Sequence, residues 1–158
     1  MISNMKRVVV VSDSHGNKEG IDKIFKNLKF DYFIFLGDCV ADLGLYQNLD
    51  NVLAVKGNCD FFSNVKTFGV LDIEEIKLFY THGHEYNVKK TNQNIISAGK
   101  LLNADVVLYG HTHKYSYEII DGVHIVNCPA FSYARGGECK FLVLEIENKK
   151  ISIFQREI

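Results

Sequence analysis

VVVVSDSH, from Val8 to His15, is the stretch that decides the fold class. Its four β-branched residues, with no polar interruption, predict a strand that is buried on both faces of a sheet. Asp13 and His15 follow the carboxyl end, and Gly16 lets the backbone turn so that the two side chains converge. Open α/β sheets carry their binding sites at that edge. Asp13 and His15 alone are explained more simply as a turn with a capping Asp. Residues further along the chain must therefore decide between a turn and a binding site.

The composition is that of one globular domain, with 158 residues, 47% hydrophobic content and a net charge of -1. A neutral chain without a basic run argues against a nucleic-acid partner. No apolar run approaches the roughly 20 residues of a membrane span, and Met1–Arg7 is too short and polar for a signal peptide. We therefore expect no membrane partner and a cytoplasmic location. The 4 cysteines are scattered without a C-x-x-C pair, which predicts free thiols.

Two further apolar runs in the first half of the chain end as the first one does. The run 32–36 stops at Gly37-Asp38, and the run 51–55 stops shortly before Gly57-Asn58. Residues 17–28 carry apolar side chains at helical spacing behind Asn17, a suitable N-cap, and predict a helix on the sheet. Loops favour Gly, Asp and Asn in any case. Three such ends in one parallel sheet make that explanation weaker.

The second half of the chain predicts a second sheet that also ends in polar motifs. One strand runs into Thr81-His82-Gly83-His84, and another runs into Gly110-His111-Thr112-His113. The predicted helix at 92–102 contains Gly99, which weakens the prediction. The predicted strands of this half are 66–73, 77–80, 105–109, 115–120, 123–126, 141–146 and 151–154.

Metal-ligand residue types therefore follow five predicted strands, and the set is Asp13, His15, Asp38, Asn58, His82, His111 and His113. Imidazole and carboxylate ligands without a thiolate suit manganese, iron or zinc. The set is too large for one ion. If Asp38 is shared, two ions can lie about 3.5–4 Å apart, the spacing that clamps the attacking and leaving oxygens of a phosphoryl displacement.

The chain resembles the calcineurin-like metallophosphoesterases, and among them the small single-domain bacterial and archaeal phosphodiesterases. Five motifs in the family's order carry the resemblance: Asp13-Ser-His15, Gly37-Asp38, Gly57-Asn58, His82-Gly-His84 and Gly110-His-Thr-His113. The resemblance implies an α/β fold, a four-layer α-β-β-α sandwich of two mixed sheets flanked by helices, with residues 1–158 as one domain. It also implies a dinuclear phosphoesterase, most readily a phosphodiesterase, that attacks a small phosphate ester with a metal-bridging hydroxide.

The resemblance assigns metal ligands residue by residue. One ion would be held by Asp13, His15 and His113, the other by Asn58, His82 and His111, with Asp38 as the bridge between them. Manganese is the expected metal, and iron, zinc or nickel are the alternatives. Both ions would be divalent.

Four residues outside the core of the ligand set remain candidates with weaker support. Asn58 is also a candidate for the catalytic centre, and His84 could support a ligand or contact the substrate. Asp60 could orient a neighbouring ligand or simply belong to a turn. Arg135 could reach a phosphate, although a solvated loop arginine explains it as well.

Two alternatives to a phosphodiesterase come from the same resemblance. The retromer subunit uses a metallophosphoesterase-like domain to hold protein partners, but its ligand set is eroded, whereas all positions are filled here. Nucleases of the superfamily carry extra DNA-binding segments, for which this neutral chain offers no basic run. The sequence leaves open a homo-oligomer.

We predict a preference for esters whose leaving groups are stable anions, because the family block Gly-Asn-His reads Gly57-Asn58-Cys59 here. A thiol, with a reference pKa of about 8.5, is a poorer acid near neutral pH than the histidine it replaces. Aryl phosphodiesters of graded leaving-group pKa, assayed with saturating manganese, should give a logarithm of the rate that falls steeply with that pKa. Cys59→His should flatten the slope. A flat wild-type series, with chemistry rate-limiting, would mean that another group such as His84 supplies the proton.

Overall fold

Two five-stranded sheets form the body of the computed structural model, which describes residues 4–158 apart from the side chain of Arg135. The described residues contain two α-helices, α1 (Lys18–Asn27) and α2 (Gln93–Leu101). The strands are β1 (Lys6–Val11), β2 (Tyr32–Phe35), β3 (Val52–Ala54), β4 (Phe68–Ile73), β5 (Ile76–Thr81), β6 (Val106–Tyr109), β7 (Ser116–Ile120), β8 (Val123–Asn127), β9 (Phe141–Glu147) and β10 (Lys150–Arg156).

Each of the two sheets contains three neighbouring parallel strands. The first has the order β10-β9-β1-β2-β3, in which β1, β2 and β3 are parallel and β9 is antiparallel to β1. The second has the order β4-β5-β6-β8-β7, in which β5, β6 and β8 are parallel and both edge strands are antiparallel to their neighbours. The prediction of two mixed sheets is confirmed. The loops that leave the parallel strands of each sheet share one edge, where open α/β sheets place their sites.

The valine run of β1 is buried on both sides, as its composition predicts. Val8 and Val10 pack in the cluster between the two sheets, whereas Val9 and Val11 pack in the cluster beneath α1. All four side chains have no exposed surface. Because successive side chains of a strand point to opposite faces, a strand covered on both faces needs an uninterrupted apolar run.

The two helices cover the outer faces of the sheets and complete the four layers. Asn17 caps α1 by accepting a hydrogen bond from the Gly20 N–H at 3.1 Å. Helix α2 lies on the second sheet, and a Cβ built at Gly99 would stand only 2.4 Å from Val107 Cγ2. Gly99 therefore allows the helix backbone to approach β6 closely, which explains a glycine inside a helix.

The segment Val40–Asn48 forms a 3-10 stretch, kinked at Gly44, that the sequence pattern did not predict. Its apolar residues follow no helical repeat, so packing against the rest of the fold holds the segment in place. Leu43 is buried against the first sheet, and the Tyr46 ring stacks on Phe25 with ring centroids 3.9 Å apart.

The predicted free thiols are confirmed for all four cysteines. Neither α-helix of the described residues has the length and apolarity needed to cross a membrane.

A core phenylalanine and a surface phenylalanine should differ sharply in their contribution to stability. Phe33 is fully buried between α1 and the first sheet, whereas Phe62 is fully exposed. Phe33→Ala should lower the free energy of unfolding by about 3–5 kcal/mol, because it removes a large buried side chain and leaves a cavity. Phe62→Ala should change it by less than about 0.5 kcal/mol. Urea denaturation of both variants measures the difference, and similar losses would contradict the described core.

Candidate metal centre

The seven predicted ligands come from loops that follow five strands, β1, β2 and β3 of the first sheet and β5 and β6 of the second. The structure brings six of them into two groups whose nitrogen or oxygen atoms lie within 4.8 Å of one another. The first group is Asp13, His15 and His113, and the second is Asp38, His82 and His111. Asn58 borders the second group.

The first group is centred on the fully buried Asp13. One carboxylate oxygen, Oδ2, accepts hydrogen bonds from the Ser12 hydroxyl and from the His111 N–H, the latter at 3.1 Å. The other oxygen, Oδ1, lies 3.2 Å from His113 Nε2 and 3.9 Å from His15 Nε2. This buried oxygen has no hydrogen-bond partner. An unpartnered buried carboxylate oxygen facing two imidazoles suits a bound cation.

The second group is centred on His82, which is fully buried. Its Nδ1 lies 2.7 Å from the Leu36 carbonyl oxygen, an acceptor, so Nδ1 carries the proton and donates it there. Its Nε2 faces Asn58 Oδ1 at 3.1 Å and His111 Nδ1 at 3.2 Å. Burial lowers the pKa of His82, but the nearby carboxylates of Asp38 and Asp13 outweigh burial and raise it. A backbone carbonyl that fixes the tautomer and the orientation of a ring in this way is typical of metal-binding histidines.

Asp38 lies between the two groups. Its Oδ2 is 3.4 Å from His82 Nε2 in the second group and 3.9 Å from His15 Nε2 in the first. Its Oδ1 accepts a hydrogen bond from the Cys59 N–H at 2.9 Å. Its position fits a bridge between two ions. Asp13 Oδ1 also lies near both groups, 3.8 Å from His82 Nε2 and 3.2 Å from His113 Nε2.

The local charges favour the ligand forms of two members of the second group, Asp38 and His111. Burial raises the pKa of Asp38, but the hydrogen bond and charge of His82 outweigh it and hold that pKa well below its usual range. Burial and then the charge of His82 lower the pKa of His111 to about 4. At neutral pH Asp38 is therefore an anion and His111 a neutral imidazole, and metal ions bind these forms.

Most of these side chains sit on strained backbone. Left-handed φ angles are rare for residues other than glycine and collect at functional sites, where surrounding contacts enforce them. Five ligand candidates have them: Asp13 (φ 52), His15 (φ 40), Asp38 (φ 63), His111 (φ 70) and His113 (φ 67).

Asp60 holds two of the ligand loops together. One of its carboxylate oxygens accepts hydrogen bonds from the Cys39 and Val40 N–H groups, both at 2.9 Å. The other accepts from the Asp38 N–H at 2.9 Å and from the Gly57 N–H at 2.8 Å. The carboxylate is thus fully used in fixing the backbone on either side of Asp38 and Asn58. These contacts fit a positioning role for Asp60, which also lies in a turn, and its role in the site stays a prediction.

Two supporting residues were missed by the sequence analysis. Asp42 is buried and accepts hydrogen bonds from the Ser14 hydroxyl and the Gly16 N–H, both at 2.7 Å, which fixes the loop around His15. Asn127 donates to the Thr112 hydroxyl between His111 and His113. Nothing around Asp42 in the sequence distinguishes it from a surface acid. Asn127 directly follows the predicted strand 123–126, and an Asn in that position is a usable signal for a site residue.

The remaining predicted residues lie near the groups but outside them. His84 follows His82 closely, and its ring centroid is 6.2 Å from that of His111. Its buried Nδ1 has no hydrogen-bond partner. Arg135 belongs to the 3-10 turn Ala134–Gly136, and its side chain lies outside the described part of the chain, so its predicted phosphate contact stays a prediction.

Carboxylate and imidazole groups thus meet at the shared edge of a two-sheet sandwich, an arrangement that suits the binding of divalent metal ions. The chain belongs to the calcineurin-like phosphoesterase superfamily, since the domain model of that superfamily matches residues 5–149. The expectation from the five motifs is thereby confirmed for the family and for the fold.

Relatives with named activities and one with a named sorting role occur among the similar proteins. The Bacillus subtilis protein named probable metallophosphoesterase YsnB is 30% identical over 149 residues, 92% of this chain and 88% of the relative. A phosphodiesterase of Methanocaldococcus jannaschii is 29% identical over 77% of this chain and 81% of its own length. Vacuolar protein sorting-associated protein 29 of Schizosaccharomyces pombe is 27% identical over 76% and 69%.

Among solved structures, a predicted phosphoesterase from Streptococcus pneumoniae has the same fold. It superposes with a TM-score of 0.86 at 25% identity and covers 97% of this chain and 90% of its own.

Asp60→Asn should loosen the loops that carry Asp38 and Asn58. The amide keeps one acceptor oxygen, and its NH₂ group would face backbone N–H donors, so buried donors lose their partner at a cost of about 1–3 kcal/mol. Urea denaturation should show this loss, and elemental analysis should show less bound manganese. Asp50→Asn, at an exposed position, is the matched control. Equal stability and metal content of the two variants would contradict a positioning role for Asp60.

Proposed function

We propose that this protein is a phosphodiesterase that uses two divalent ions, with manganese as the metal, to hydrolyse a small phosphodiester. The observation that carries the proposal is the position of Asp38. One carboxylate oxygen of Asp38 lies within 4 Å of a histidine from each ligand group, at 3.4 Å and 3.9 Å. Asp13 Oδ1 also lies within 4 Å of both groups, and the family resemblance assigns the bridge to Asp38. A shared carboxylate of this kind is what holds two ions at the spacing used for phosphoryl displacement.

Each residue of the proposed site has its own role. Asp13, His15 and His113 would hold one ion, and His82, His111 and Asn58 would hold the other, with Asp38 common to both. Bound there, divalent ions supply Lewis acidity and a water molecule of lowered pKa. The Leu36 carbonyl accepts a hydrogen bond from His82 Nδ1 and so aims Nε2 at the site. His84 keeps an unpartnered Nδ1 beside the second group and is the candidate for a hydrogen bond to substrate.

The surroundings of the ligand groups support a diester rather than a monoester. A cavity of about 520 Å³ is lined in part by His15, and a separate cavity of about 480 Å³ is lined in part by His113. Both histidines belong to the first ligand group. A phosphate held by the proposed ions would therefore have space for two substituents. The similarity to a named phosphodiesterase points the same way.

Removal of divalent ions should abolish hydrolysis of an aryl phosphodiester, and added manganese should restore it. The chain supplies side chains that bind and orient, but the proposed attack depends on metal-activated water. Protein stripped with chelator and checked by elemental analysis should retain less than about one-hundredth of the activity, since loss of supporting residues alone costs 10–100-fold. Undiminished turnover with verified absence of metal would end the proposal.

Asp38→Asn tests the bridge within the same assay. It should reduce turnover and manganese content more than any other single ligand substitution, because it weakens the hold on both ions. Asp50→Asn is again the matched control. Wild-type turnover in Asp38→Asn would refute the bridging role. Full metal content in the wild type without hydrolysis of any phosphate ester would instead favour the alternative, a metallophosphoesterase fold that binds protein partners.

A further inference from the structure

Two neighbouring aromatic side chains beside the candidate metal centre are exposed to solvent. Phe61 and Phe62 are 81% and 100% exposed, although each is large and apolar. Both line the cavity of about 520 Å³ that His15 also lines. Exposed aromatic pairs at the mouth of a cavity mark surfaces that bind something.

The turn that carries the two rings is anchored to the ligand loops. The Asp60 N–H donates to the Gly57 carbonyl at 3.2 Å, and the Ser63 N–H donates to the Asp60 carbonyl at 3.2 Å. The Asp60 side chain fixes the same turn to the backbone around Asp38, as described above. The backbone positions of both phenylalanines relative to the candidate metal centre are therefore set by the fold, and binding need not order the backbone of the turn.

The chemistry of the cavity selects against charge. Besides the two rings, its lining includes Cys39, Val40 and Ala41, and its described lining contains neither lysine nor arginine. The acid in the lining, Asp60, has its oxygens occupied by backbone N–H groups. The cavity beside His113 is different, since lysines 114 and 140 contribute to it.

We propose that the cavity lined by Phe61 and Phe62 binds an uncharged aromatic substituent of the phosphodiester, which stacks on these rings while the phosphate lies at the metal centre. The inference rests on the proposed function and names the substrate class of that site. A second phosphate or another anion would find no cationic partner in this cavity. A planar ring gains both apolar contact and aromatic stacking, and the substituent can be a simple aryl group or a nucleobase.

The kinetic test varies one substituent and keeps the leaving group constant. Trifluoroethyl phosphodiesters carrying a methyl, cyclohexylmethyl, benzyl or 5′-thymidyl group are hydrolysed with manganese, and released trifluoroethanol is measured by ¹⁹F NMR. The benzyl ester should exceed the cyclohexylmethyl ester in kcat/KM by about tenfold, the size of one stacking contact. Thymidyl above benzyl identifies a nucleobase, and benzyl above thymidyl identifies a simple aryl group.

The variant test uses Phe61→Ala/Phe62→Ala, with Phe154→Ala as control because that exposed phenylalanine does not line the cavity. The double variant should reduce the benzyl-to-cyclohexylmethyl ratio to about one, and the control should keep the wild-type ratio. Equal rates for the two esters in the wild type, or an unchanged ratio in the double variant, would overturn the inference.

A binding measurement separates this inference from the proposed function. The chain contains 0 tryptophans, so the fluorescence anisotropy of 2-naphthylmethylphosphonate can be followed directly, and its C–P bond resists hydrolysis. The double variant should weaken its binding about tenfold relative to wild type and Phe154→Ala. Absence of hydrolysis for every ester would defeat the proposed function. Unchanged binding in the double variant would defeat the aromatic site alone.

Discussion

The buried carboxylates of Asp13 and Asp38 are the constraint on which the rest of this structure depends. An ionised acid without water needs compensating partners, and the cost of leaving it without them is several kcal/mol. Backbone N–H groups satisfy one oxygen of each acid, and imidazoles from both sheets face the other. The loops take left-handed backbone angles to reach these positions. The requirement to compensate buried charge thus dictates where five loops must converge.

The two sheets make this convergence possible because each contains three neighbouring parallel strands. Each contributes parallel strands whose carboxyl ends lie at one edge, and packing face to face brings the two edges together. Asp13 and Asp38 come from the first sheet, whereas His82 and His111 come from the second. Neither sheet alone holds a complete ligand group, since each group combines residues of both. The candidate site can therefore form only when the two sheets pack together.

Under the proposed function, specificity would lie in the loops around the candidate centre, as it does for other folds that serve many activities. The turn after Asn58 presents aromatic rings beside His15, and the loop after His113 presents lysine beside it. The two sides of the centre thus differ in charge and in apolar character. The carboxylate of Asp60 binds backbone N–H groups of the loops that flank the aromatic side.

The sequence by itself determined the buried strands and the ligand types, because both follow from local patterns. An unbroken valine run predicts a strand covered on both faces, and polar residues after glycine-terminated strands predict a site at one edge. The four layers and the grouping of the ligands were expectations from the family resemblance. Only the tertiary structure decided what holds the ligands in place. Asp60 binds backbone 20 to 22 residues away, and Asp42 binds backbone 26 residues away, contacts that no local pattern encodes. The segment Val40–Asn48 and the aromatic cavity likewise exist only because distant loops meet, which periodicity cannot reveal.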